Sequence, residues 1–246
     1  MREESQLTRE QVVLRIGAAC VVAGSILILV FRTTHGDLPA DKGAAAALSY
    51  VAAHPIYPLF HLGDALGFVV FAGGLVALSG SLTHRVAWAI GRLGVTSVLV
   101  GAAVHIVEFS IDGFGVPMLA DAWAVASPSE RPSLELGARV VLAVIGGPSV
   151  IALIFVWGST LALYGLAVRK EGYSSWLSWT GVILGTAIFA MGTIFYLKPN
   201  IYPGVLLYGG GTLAAHLWAI FLGIAMWRRA GTVAVAAAPQ QSPTAT

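Results

Sequence analysis

Two pairs of ionisable residues repeat a single spacing. His61 and Asp64 stand at i and i+3 in one apolar run, His105 and Glu108 do so in the next, and His216 lies in the last. Residues three apart leave a helix on the same face, so each pair would present imidazole and carboxylate side by side. That combination suits ligation of zinc, manganese or iron. Three histidines with one carboxylate would leave a position for water, and a second carboxylate as base would complete a centre for metal-assisted hydrolysis of a lipid-borne substrate. No HExxH or comparably tight signature accompanies the set. A b-type haem held by two histidines, such as His61 with His105 or His216, ranks below a simple metal, because carboxylates one turn from each ligand suit an apolar haem pocket poorly. Two further readings stay open. Chains of His, Asp and Glu relay protons in carriers, and the same groups can hydrogen-bond between helices and fix their register without any ligand.

The pairs belong to longer stripes. Gly94, Ser97, Gly101, His105, Glu108 and Asp112 follow spacings of about three or four residues and share one helix face, small at one end and ionisable at the other. Tyr57, His61, Asp64 and Phe68 form the matching face of the preceding run, with the small pair Gly63 and Gly67 beside it. Thr212 and His216 add a shorter polar face to the last run. Charged groups at membrane depth cost roughly 2.5–3.5 kcal/mol each, so they are expected to meet in one inward cluster. The candidate metal set is His61, Asp64, His105, Glu108 and His216, with Asp112, Tyr57 and Thr212 on the rim.

The elements that must carry these residues are membrane helices. Of 246 residues, 57% are hydrophobic and only 11% charged, less than half the charge that a water-facing surface uses. Lipid is therefore the expected partner of most of the surface. A net charge of +2 without a basic run gives no footprint for nucleic acid. Cys20 is the single cysteine, which excludes a disulfide framework and a cysteine-based zinc site. Six runs reach the length of a span: 12–31, 57–78, 93–111, 140–168, 176–197 and 205–227. The first is too long for a signal core and lacks a small-residue cleavage site after it. Gly146-Gly147-Pro148 predicts a bend in the fourth.

Basic residues set the expected direction. Arg2, Arg9, Arg15, Arg85, Arg92, Arg169, Lys170, Arg228 and Arg229 fall on one side of the alternation, and Arg32, Lys42, Arg131, Arg139 and Lys198 on the other. The richer side is cytoplasmic, which puts both termini in the cytoplasm and the two pairs in the outer half of the bilayer. Asp41 is a candidate helix N-cap ahead of a helix-prone 43–53, and 119–126 reads as a second short helix before a break at Pro128 and Pro132; both are expected on the outer surface. His35, His54 and His84 read as exposed loop residues. The stretch 230–246, rich in Ala, Pro, Gln, Ser and Thr, reads as a disordered tail.

Tyr50-Val51-Ala52-Ala53-His54-Pro55, His61-Leu62 through Gly67, Asp112-Gly113-Phe114, Asp121-Ala122-Trp123 and Trp176-Leu177-Ser178-Trp179 resemble an uncharacterised family of six-helix integral membrane proteins from high-GC Gram-positive bacteria. The resemblance covers most of residues 33 to 229. It implies the same topology and a bacterial plasma membrane, and supplies no catalytic residue. The expected architecture is all-α, a six-helix bundle whose polar pocket opens toward the outer face and is floored by His216.

Overall fold

The computed structural model describes residues 9–36, 38–199 and 206–236. Helices α1 (Arg9–His35), α2 (Ala44–Ala52), α3 (Tyr57–Ser81), α4 (Arg85–Ser110), α5 (Val116–Val125), α6 (Arg131–Leu153), α7 (Thr160–Lys170), α8 (Ser175–Leu197) and α9 (Thr212–Ala236) account for nearly all of it, with no strand among the described residues. Wider π-helical turns join α4 to α5 at Ile111–Gly115 and α6 to α7 at Ile154–Ser159, and another, Leu206–Gly211, leads into α9. The result is six helices long and apolar enough to cross a membrane: Arg9–His35, Tyr57–Ser81, Arg85–Val125, Arg131–Lys170, Ser175–Leu197 and Gly209–Gly231.

These six pack in antiparallel sequence around a closed circuit, α9 beside α1, then α3, α4, the α6–α7 rod and α8, which returns to α9. Glycine sets how closely they approach. A Cβ on Gly24 of α1 would lie 2.5 Å from the backbone nitrogen of Phe71 on α3, and one on Gly165 of α7 would lie 2.7 Å from the carbonyl of Ser178 on α8. Both sites exclude any side chain, as the close helix contacts of membrane bundles require. The small end of the α4 stripe behaves as its composition implies: Gly94 lies against the Tyr164 ring, Gly101 against Val156, and the Ser97 hydroxyl donates to the Phe155 carbonyl at 2.9 Å. Long-range hydrogen bonds tie the bundle, across it from the Tyr164 hydroxyl of α7 to the Leu75 carbonyl of α3 at 2.7 Å, and between α9 and α8 from the Trp218 indole to the Leu177 carbonyl at 2.8 Å.

Several boundaries differ from the sequence reading. The third rod starts at Arg85, eight residues before the apolar run, because the turn ahead of it is capped: His84 Nδ1 accepts from the Ala87 amide and the Glu171 carboxylate accepts from the amides of Thr83 and His84. It then continues through the π turn into α5 instead of ending at the expected span. Gly146-Gly147-Pro148 lies inside an unbroken α6, and the irregularity comes later, at Ile154–Ser159. Gly43, not Asp41, precedes α2 as its N-cap. Helix α9 runs to Ala236, into the stretch expected to be irregular; residues 237–246 lie outside the described residues.

The short helices do not spread apart. α2, α5 and the first half of α6 enclose a second, smaller apolar core of Ala44, Leu48, Val51, Tyr57, Val116, Ala120, Ala138 and Ile145. This cap covers the end of the bundle where α1 finishes and α3 begins, here termed the distal end. α6 starts cleanly after it: the Ser127 amide and hydroxyl both donate to the Glu130 carboxylate, and Pro132 occupies the first turn.

Candidate functional site

The ionisable residues of α3, α4 and α9 turn inward. His61, Asp64, His105 and Glu108 are each 5% exposed and His216 1%. They do not form the single cluster that their spacing suggests. Among the described residues, no group of three or more His, Cys, Asp or Glu side chains is arranged to hold a metal ion. The groups divide instead between a large cavity at the distal end and a small space at mid-bundle.

The distal cavity is about 540 Å³ and is walled by Arg32 and His35 of α1, His61 and Asp64 of α3, Glu108 and Asp112 of the α4–α5 rod, Ser149 of α6 and Phe195 of α8, among others. On its wall His61 Nε2 lies 3.1 Å from Asp112 Oδ2, and the Tyr57 hydroxyl donates to Asp112 Oδ1 at 2.8 Å. Its other ring nitrogen, Nδ1, lies 3.1 Å from the Tyr57 carbonyl. Both nitrogens of His61 therefore face acceptors. The imidazole is thus held from both sides, by the carboxylate of one rod and the backbone of its own helix.

The π turn makes this pairing. It carries Asp112 across to α3 and lays Gly113 flat on His61, where a Cβ would come within 2.5 Å of the His61 Cβ. One turn earlier on the same rod, Glu108 pairs within its own helix and with α6. Its Oε2 lies 2.6 Å from His105 Nδ1, and its Oε1 accepts from the Ser149 hydroxyl at 2.5 Å. The His105 ring is held between Phe68 and Phe109, with centroids 4.5 and 4.6 Å away.

Asp64 is the exception. It does not close onto His61, and its buried Oδ1 has no hydrogen-bond partner. With Arg32 it lines both the distal cavity and the second space, which is about 10 Å³ and is also bounded by His105, Thr212 and His216. His216 therefore does not floor the large cavity. Its ring meets the Trp157 indole edge-on at 4.3 Å, and its buried Nδ1 is likewise without a partner. His61 and His105 are both engaged with carboxylates.

Two wall residues were not legible as site residues. Arg32 reads from sequence as a topology-setting charge, and His35 as a loop residue. His35 instead ends α1 half-buried, its ring 4.8 Å from both Tyr57 and His61. His54 stacks on Tyr50 at 4.1 Å and is also half-buried. Arg32 and His35 continue the alternating four- and three-residue spacing of the buried face of α1, from Leu14 through Ala18, Val21, Ser25 and Ile28. That continuity beyond the apolar run is the signal that was present.

No family model, curated protein or solved structure matches this chain.

Proposed function

We propose that this chain is a multi-pass protein of a bacterial plasma membrane, with both termini cytoplasmic, and that its distal cavity faces outward and binds a small zwitterionic solute. The observation that carries the reading is the mixed-charge cavity. Its volume of about 540 Å³ falls within the range of small-molecule sites. Arg32 and His35 approach from one helix, and Asp64, Glu108 and Asp112 from two others. Such a wall offers partners to an ammonium and to a carboxylate or phosphate at once. The excess of basic residues near the opposite end supports the outward orientation, and the family resemblance supports the bacterial plasma membrane. The divided ligand set lends no support to a divalent metal or to hydrolysis at one.

A proton-linked carrier is the second reading. It is favoured by the buried His61–Asp112 and His105–Glu108 contacts, since intramembrane His–carboxylate pairs relay protons in transporters.

Thermal unfolding of the full-length protein in detergent tests the binding reading, with millimolar glycine betaine, glycerol phosphate or putrescine as zwitterionic, anionic and cationic probes. Betaine is expected to raise the midpoint by about 2–4 °C, and Arg32→Gln or Asp64→Asn to abolish the gain. No shift with any of the three would reject a solute site. For orientation, a Cys20→Ser background carrying Ser127→Cys should react with an impermeant maleimide on intact cells, and one carrying Ser174→Cys only after permeabilisation. The reverse pattern would overturn the topology.

A further inference from the structure

Two residues that line the space at mid-bundle each carry an orphaned polar atom. Among the described residues, Asp64 Oδ1 of α3 and His216 Nδ1 of α9 are both buried without a hydrogen-bond partner, in residues 5% and 1% exposed. Leaving such groups unsatisfied carries the full penalty of their desolvation. Both residues line the same space of about 10 Å³, close to the smallest volume that holds one water. A water needs two to four polar partners, and Asp64, His216, Thr212 and His105 are all in the wall. The rest of the lining is Ile28, Phe68, Leu153, Trp157 and Arg32.

We propose that Asp64 and His216 bind a single internal water in this space, and that this water carries hydrogen exchange between the distal cavity and the centre of the bundle. The chemistry fits from both sides. A carboxylate oxygen accepts one of the water's protons, while the imidazole nitrogen accepts the other or donates to the water's lone pair, according to its tautomer. Asp64 also walls the distal cavity, so the line runs from cavity to carboxylate to water to imidazole. The charged groups in electrostatic reach of Asp64 are Arg32, His61 and Glu108, and Arg32 also reaches His216. Among the residues that line the space, those of α6 and of the π turn after it are apolar. This site goes beyond the solute reading and involves no solute.

Infrared difference spectra of the full-length protein in lipid, hydrated with ordinary or 18O water, test it. The wild type should show an isotope-sensitive O–H stretch that disappears in His216→Phe and in Asp64→Leu; a wild-type spectrum without the band overturns the site. Should His216→Phe fail to fold, Thr212→Val supplies the comparison, and an unaltered band there together with an unaltered band in Asp64→Leu also overturns it. Exchange of the His216 ring proton, followed by NMR, tests the path. It should slow about tenfold in Asp64→Leu, the loss of roughly one hydrogen-bonded partner expressed as a rate, and recover in Asp64→Asn. Equal rates in all three proteins would reject the path even where the water is present. A wild-type protein that shows the band but binds no betaine would reject the solute reading alone.

Discussion

His61–Asp64 and His105–Glu108 repeat the same residue types at the same spacing, and they come to opposite ends. His105 and Glu108 close on each other within one turn of α4, at 2.6 Å. His61 leaves Asp64 aside and takes its carboxylate from another rod, Asp112, which the π turn brings to 3.1 Å. Local spacing makes a pair possible. Which acceptor wins depends on what else is nearby: Asp112 already accepts from Tyr57, so His61 joins a carboxylate that is held in place. The released Asp64 becomes the residue that connects two cavities.

Substitutions that break this asymmetry should rank accordingly. Asp112→Ala strips the partner from a buried imidazole and a buried phenol, and is expected to cost about 3 kcal/mol, the penalty for breaking a buried pair, in denaturant titration of micellar protein. A cost equal to that of Asp64→Ala would show that the cross-rod pair has no special weight. Glu108→Ala should cost about 2 kcal/mol, and a double-mutant cycle with Ser149→Ala should return at least about 1 kcal/mol of coupling; additive effects would mean that the Ser149 contact does not hold Glu108.

The opposite end of the bundle supplies a third carboxylate for comparison. Glu171 accepts from the amides of Thr83 and His84, the Thr83 hydroxyl and Arg229, and so fastens three segments together. Burial alone would raise its pKa, but these donors outweigh it and hold the carboxyl below its ordinary value of 4.5. A carboxyl depressed on folding contributes stability that is complete above its unfolded value and is lost as pH falls through the folded one. Unfolding midpoints should therefore decline below about pH 4.5, and Glu171→Gln, at a cost of about 1–2 kcal/mol at neutral pH, should flatten that part of the profile. The smallest effect belongs to Asp64→Asn, expected within about 0.5 kcal/mol of the wild type, because its Oδ1 gives up no bond. A large loss would mean that Asp64 is held by more than the water proposed for it.

Much of the architecture was legible from composition and period. Six apolar runs predict six long helices because a chain with so few charges must find them a common surface, and the stripe from Gly94 to Glu108 predicts that α4 lies closely against a neighbour at one end and presents polar groups at the other. The ends of the rods were less legible. Arg85 begins α4 because Glu171, far away in sequence, satisfies the amides before it, and no local pattern signals that. His35 was missed because it lies beyond the apolar run, although it continues the buried spacing of α1.

Periodicity alone fixed which faces of α3, α4 and α9 turn inward, since burying ionisable groups among helices costs less than exposing them to lipid. Tertiary structure alone decided the pairing. Partner choice depends on distances between rods and on a π turn that shifts Asp112 toward α3, and these are set by glycine contacts and side-chain packing over the whole bundle, which no single helix encodes.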